Sequence, residues 1–201
     1  MKHKIIKLVI LLSSMLTMAN AANLALLPKT GQTDTLPEDP APAGSDGALM
    51  KGKAWPHPRF VLDSSGDCII DKLTGLMWLK TFSDRVNGTV NWSSALHLTS
   101  VSSWCGYNDW RIPNINEILS LVNYAYSSQE NWLSYGSGDG GDPQCDGACF
   151  SEGIAGGAWT STIVAQNSNA AWVLLMNDGT AAYEDKSDTF RFSIAPVRGG
   201  R

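Results

Sequence analysis

A carboxylate, an indole and a guanidinium follow one another at Asp109, Trp110 and Arg111, and a further carboxylate stands just downstream at Glu117. An arginine beside an aromatic face could grip a carboxylate or a sugar through its planar fork of donors. Placed just before a helix start, the same trio also serves as a structural ion pair, or as an arginine bonded to loop carbonyls. The structural reading is preferred. Asn114 supplies an N-cap, and Glu117, three residues later, can reach back to the Asn114 N–H in a capping box. Asp109, Trp110, Arg111, Asn114 and Glu117 are therefore expected to build the fold.

Other residues offer other chemistries. Asp139, Asp142 and Asp146 carry oxygen ligands at a spacing calcium could use, although the order of an EF-hand loop is missing. No other cofactor is implied and no metal site is assigned. Cys68, Cys105, Cys145 and Cys149 are even in number, and zinc would want further Cys or His ligands near them. Two disulfides are expected instead, with three connectivities open. Gly147 permits a local closure of Cys145 onto Cys149, which leaves Cys68 to pair with Cys105; the long bridge would contribute ~4 kcal/mol and the short one about 2 kcal/mol. Neither a Gly-x-Ser-x-Gly elbow nor a His-Glu-x-x-His pair occurs, and beyond residues 1–21 only His57 and His97 remain, so catalysis is not expected.

The elements that must position these groups follow a signal for export. Lys2, Lys4 and Lys7 precede an apolar run ending near Met18, and Ala19-Asn20-Ala21 gives a small-x-small cleavage site. Residues 1–21 therefore read as a secretory signal peptide, too short for a permanent membrane span. With no cysteine at the cleavage point, a lipoprotein is not expected; the destination is the periplasm, the outer surface or the medium around a bacterial envelope. Removing the signal leaves 12 basic against 19 acidic residues, a net charge of −7. That field disfavours nucleic acid.

Residues 22–58 are rich in Pro, Gly, Asp and Thr and read as an extended leader or linker. Within them Leu27-Pro28-Lys29-Thr30-Gly31 matches a sortase anchoring pattern, but it lies far from the C-terminal position such signals occupy. Residues 59–201 have the size of one domain with one core. Strands are expected at Arg59–Leu62, Asp67–Ile70 and Leu76–Lys80, with turn chemistry at Asp71–Gly75. Two short helices are expected, one from Trp92 capped by Asn91 and one after Asn114 with Ile115, Ile118, Leu119 and Val122 on its apolar face. Strands return at Trp159–Ile163, Ala171–Met176, Thr180–Glu184 and Phe190–Val197, with Asn177-Asp178-Gly179 as a hairpin turn. The class is α+β with a mostly antiparallel sheet.

Eight tryptophans give this chain many flat apolar faces of the kind that pack against pyranose rings. Trp78, Trp92, Trp110, Trp159 and Trp172 fall in the motif segments that should build the core and are assigned to it. Trp55, Trp104 and Trp132 lie in turn-rich surroundings. The segment Ser127–Gly157 is long, Gly- and Asp-rich and bracketed by its own cysteine pair, so binding is expected there, through Trp132, Tyr135, Asp139 and Asp142.

Taken together, Gly66–Trp78, Trp92–Leu96, Cys105–Glu117, Trp159–Thr162, Ala171-Trp172, Asn177–Gly179 and Pro196–Gly200 resemble, in order, the domain family named after the C-terminal domain of the Legionella collagen-like adhesin. The resemblance covers roughly residues 26–200. It implies a C-type-lectin-like fold, related to that of the formylglycine-generating enzymes, whose own cysteine motif is absent here. In the adhesin the domain binds sulfated glycans, a polyanion that a net charge of −7 does not favour. The expected function is thus an exported, non-catalytic recognition domain for a surface glycan. The alternative is a self-associating module or one that binds an envelope protein; an uncharacterised enzyme comes third.

Overall fold

The computed structural model describes residues 27–33, 40–81, 90–134, 150, 156–187 and 192–199 of the chain. Residues 1–21, read above as a signal peptide, lie outside them, as do Tyr135, Asp139, Asp142, Asp146, Cys145 and Cys149. Among the described residues no helix is long and apolar enough to cross a membrane.

Among the described residues, two antiparallel sheets and four short helices make up the α+β fold. Strands β1 (Phe60–Leu62), β2 (Cys68–Asp71) and β3 (Met77–Leu79) form a meander, and β7 (Val197–Arg198) returns from the far end of the chain to pair with β3. The second sheet is β4 (Gly157–Val164), β5 (Asn167–Leu175) and β6 (Ala181–Asp185). Helix α1 spans Asp46–Leu49, α2 Trp92–Val101, α3 Ile115–Leu119 and α4 Gln129–Leu133. Asn91 and Asn114 cap α2 and α3 through their side-chain oxygens, and the capping box with Glu117 is complete. The hairpin at Asn177–Gly179 closes with Gly179 at φ +80, a conformation a β-carbon would strain.

The expected strand at Phe190–Val197 shortens to its last residue and Arg198. The reason is topological: this segment passes from one sheet to the other and can lie in neither ladder for long. Phe192 pairs with Val90, Ser193 with Ala158, and Val197 with Arg111, each as a single bridge. Every residue from Ser193 to Val197 is nevertheless buried. This crossing segment is what sews the two sheets together.

Burial separates the apolar residues into two large clusters. One gathers Phe60, Trp78, Ile118, Leu121, Trp132, Phe150 and Met176 between the first sheet and helices α3 and α4; the other packs Ala95, Ile112, Trp159, Val173 and Ile194 between α2 and the second sheet. A smaller group surrounds the disulfide between Cys68 and Cys105, which pairs as expected. Cys105 and Gly106 both hold positive φ, at +50 and +80, inside a turn closed by reciprocal bonds between Trp104 and Tyr107. That is the left-handed pair a tight hairpin turn demands.

Arg59 and Asp71 meet with no solvent exposure on either side chain. Asp71 accepts two bonds from the guanidinium, at 2.9 and 2.7 Å, one from the Leu73 N–H and one from the Thr74 hydroxyl. Arg59 also donates to the Ser120 carbonyl at the end of α3, and its guanidinium lies 4.6 Å from the Trp55 ring and 4.7 Å from the Phe60 ring. Trp55 belongs to the segment read as an extended leader, which is instead packed onto the domain where it is described. The Trp55 indole donates to the Lys29 carbonyl, Tyr124 N–H to the Thr30 carbonyl, and the Thr30 hydroxyl to Asp46. A β-carbon at Gly31 would overlap the Asn123 side chain. The Thr30-Gly31 bond of the sortase-like pattern is thus part of a packed surface.

Removing one member of a fully buried charge pair leaves the other desolvated and alone. Asp71→Ala should therefore cost about 3–5 kcal/mol in denaturant unfolding. A loss under about 1 kcal/mol would show that water reaches Arg59 easily.

Candidate functional site

Helix α2 presents two different faces. Ala95 and Thr99 turn inward, with the Thr99 hydroxyl bonded back to the Ala95 carbonyl. Ser93, His97 and Ser100, spaced i, i+4, i+7, form an exposed polar stripe on the helix. The helix start is pinned from three sides. Trp92 donates its indole N–H to the Thr160 carbonyl at 2.8 Å, Lys186 lies 4.5 Å from the Trp92 ring, and Trp159 bonds the Val90 carbonyl at 2.8 Å.

Opposite this stripe runs Trp110–Ile112, held against β7 by two backbone bonds between Arg111 and Val197. Between the helix and this segment lies a groove of about 540 Å³, in the size range of a small-ligand site. Leu96, Trp110 and Ile112 line its apolar part; Ser93, His97, Ser100, Arg111 and Ser161 bring polar groups to it. A second recess of about 440 Å³ lies on the other flank of the stripe, lined by Val90, Ser94 and Leu98 and sharing Ser93 and His97 with the first. Neither Ser93 nor His97 bonds another described residue through its side chain.

Arg111 stands at the groove wall with its charge already matched. Its two terminal nitrogens donate to the two Glu117 oxygens, both at 2.7 Å, and one also donates to the Gly199 carbonyl. The hydrogen bond to Glu117 raises the arginine's pKa. Burial alone would raise the Glu117 pKa, but the Arg111 bond, the Asn114 N–H and the Arg111 charge together hold it below its ordinary value. Asp109 pairs with Arg198 at 2.6 Å, and Trp110 is buried with its indole shared between the Trp104 and Tyr107 carbonyls. Asp109, Trp110, Arg111, Asn114 and Glu117 thus all make hydrogen bonds or ion pairs within the domain, and Arg111 keeps 42% of its side chain exposed.

Trp132, expected in a binding loop, is packed in the core. Only 2% exposed, it lies in the larger core cluster with its indole on the Leu121 carbonyl, between Trp55 and Phe60. The segment expected to be a binding loop begins instead with helix α4, capped by Ser128, which drives Trp132 and Leu133 inward. Tyr135, Asp139 and Asp142 fall outside the described residues. Of the tryptophans assigned to the core, Trp92 and Trp172 are half-buried at its edge.

Asp63, Cys68 and Cys105 come close enough to share a metal ion, but the disulfide uses both sulfurs and Asp63 accepts from Ser65 and from the Cys68 N–H. The groove residues escape a reading of the sequence because serines on a helix look like a solvated face; the i, i+4, i+7 spacing of Ser93, His97 and Ser100 is the one signal it offers.

The sequence profile of the Lcl C-terminal domain matches residues 67–198, more than half of the chain. The chain belongs to that family. In this Lcl C-terminal domain the matched span holds α2, the Arg111–Glu117 pair, both sheets from β2 onward and the whole groove, while Trp55 and Arg59 lie N-terminal to it. Comparison with curated proteins finds no match.

The ion pair at the groove wall has a signature in pH. With the folded Glu117 carboxyl below its ordinary value of 4.5, its contribution is complete above that pH and fades as pH falls through the lower folded value. Glu117→Gln keeps the capping geometry and removes the charge, so its stability deficit should be about 1 kcal/mol near neutrality and vanish in acid. A deficit that persists unchanged under acid would assign the effect to the cap.

Proposed function

We propose that this Lcl C-terminal domain is an exported, non-catalytic recognition domain of C-type-lectin-like architecture, and that it binds a glycan in the groove beside α2. The observation that carries the reading is the composition of that groove. The half-buried Leu96, backed by the buried Trp110 and Ile112, offers an apolar edge to the C–H face of a sugar ring, and hydroxyls at Ser93, Ser100 and Ser161 with the His97 ring suit its hydroxyls. The supports are rigid: α2 is fixed by Trp92 and Trp159, and the opposite wall by β7. Rigid walls bind without a large ordering cost. The signal peptide read from residues 1–21 and the disulfide agree with an oxidising destination.

A glycan array probed with the mature chain tests this. Ser93→Trp places a bulky ring at the junction of the two recesses from an exposed helix position, so the domain should melt as the parent does and lose array signal at least tenfold. Undiminished signal from a folded Ser93→Trp protein would move the site elsewhere.

A further inference from the structure

We propose that the open edge of β6 pairs with the β6 edge of a second copy of the chain, antiparallel and centred on Tyr183, joining two three-stranded sheets into one. Two observations carry it: the backbone of that edge, and what its side chains meet across it. Neither depends on what the groove beside α2 binds.

Strand β6 pairs with β5 on one side and, among the described residues, with nothing on the other. The ends of the ladder fix which groups look outward. Lys186 N–H donates to the Asn169 carbonyl at 2.8 Å and Leu175 N–H to the Thr180 carbonyl at 2.9 Å, so the even-numbered residues of the strand turn their backbone toward β5. Ala181, Tyr183 and Asp185 therefore aim their N–H and C=O groups away from the sheet. Such edges are commonly blunted by a proline, a bulge or an outstanding lysine. Here the strand holds no proline, its register runs from Ala181 to Asp185 without a shift, and the Lys186 ammonium lies 4.5 Å from the Trp92 ring rather than guarding the edge.

The side chains select the occupant. Tyr183 is 58% exposed and is the cross-strand partner of half-buried Trp172, the two rings meeting edge to face at 5.8 Å. Centring the pair on Tyr183 sets it opposite the partner's Tyr183, which makes a row of Trp, Tyr, Tyr and Trp on one face; aromatic pairs directly opposite stabilise a sheet. Asp185 then stands opposite the partner's Ala181 and Glu184 opposite the partner's Ala182, so no like charges are directly opposed. A slip centred on Glu184 sets two carboxylates face to face, and one centred on Ala182 breaks the tyrosine pair. Ala182, on the other face, packs against the cluster beneath α2, so the pairing leaves the groove uncovered. The two Glu184 carboxylates sit diagonally across the axis, and each copy carries a net charge of −7, so salt should strengthen the association.

Sedimentation equilibrium of the mature chain over about 1–500 μM, with amide hydrogen exchange at both ends of that range, tests the proposal, since so short an edge makes a small interface of the transient kind. A dimer should appear toward the upper end, tighten as salt is raised, and slow exchange at Tyr183 and Asp185 while Ala182 and Glu184 exchange alike at both concentrations. Tyr183→Lys should weaken the dimer about tenfold with the melting temperature unchanged, because it replaces the aromatic pair by like charges. Glu184→Gln should tighten it at low salt and lose that advantage at high salt. Ser93→Trp should leave it unaltered, which separates this edge from the groove. A chain that stays monomeric throughout would overturn the inference, as would a dimer that a folded Tyr183→Lys protein forms equally well. Slow exchange at Tyr183 and Asp185 that is independent of concentration would mean that another segment of the same chain covers the edge, and would also overturn it. If Tyr183→Lys does not fold, the exchange pattern and the salt response of Glu184→Gln decide.

Discussion

Arg59 and Asp71 are both removed from water, and a buried charge tolerates few arrangements of its neighbours. Each must be paired and hydrogen-bonded, because the desolvation cost of an isolated ion exceeds the margin by which a domain of this size is stable. The carboxylate is satisfied by the arginine, the Leu73 N–H and the Thr74 hydroxyl, which fixes the turn between β2 and β3. The guanidinium is satisfied by the carboxylate and the Ser120 carbonyl, which fixes where α3 ends relative to β1. Its Nη1 has no partner among the described residues, and the ring faces of Trp55 and Phe60 pack nearby. The segment before Arg59 is consequently part of the folded unit: Trp55 covers the pair and also packs at a tilt against Trp132.

From that centre the geometry of the groove follows in two steps. Placing α3 sets the position of Glu117, and Glu117 holds Arg111 at the wall. Arg111 in turn bridges to Val197, so the wall is continuous with the crossing segment that joins both sheets. On the other side, α2 is fixed to the second sheet through Trp92 and Trp159. The groove lies between elements of two different clusters and inherits the rigidity of each.

Features governed by near neighbours are legible in the amino-acid sequence itself. The caps at Asn91 and Asn114, the Asp71–Gly75 turn and the Asn177–Gly179 hairpin depend on residues within a few positions, and all are present. The disulfide from Cys68 to Cys105 needs only a count and one local closure. Features that depend on distant partners are not legible in this way. Arg59 is an ordinary strand-start residue until Asp71, Ser120 and Trp55 converge on it. Trp132 looks free in the sequence because the five-residue helix that turns it inward is too short to show a period. Arg111 is recognisable as structural, but its half-exposed side chain makes it a lesser contributor than the buried pair at Arg59.

The central claim is that ligand is held between α2 and the Trp110–Ile112 segment of this scaffold. Amide chemical-shift mapping of the mature chain, titrated with an oligosaccharide selected on the array, measures this most directly. The account predicts shifts concentrated at Ser93–Ser100, Trp110–Ile112 and Ser161, with Lys72, Leu73 and Ser120 around the buried pair unmoved. Shifts confined to residues 135–155, or to Tyr107 and Arg198, with α2 silent, would contradict it.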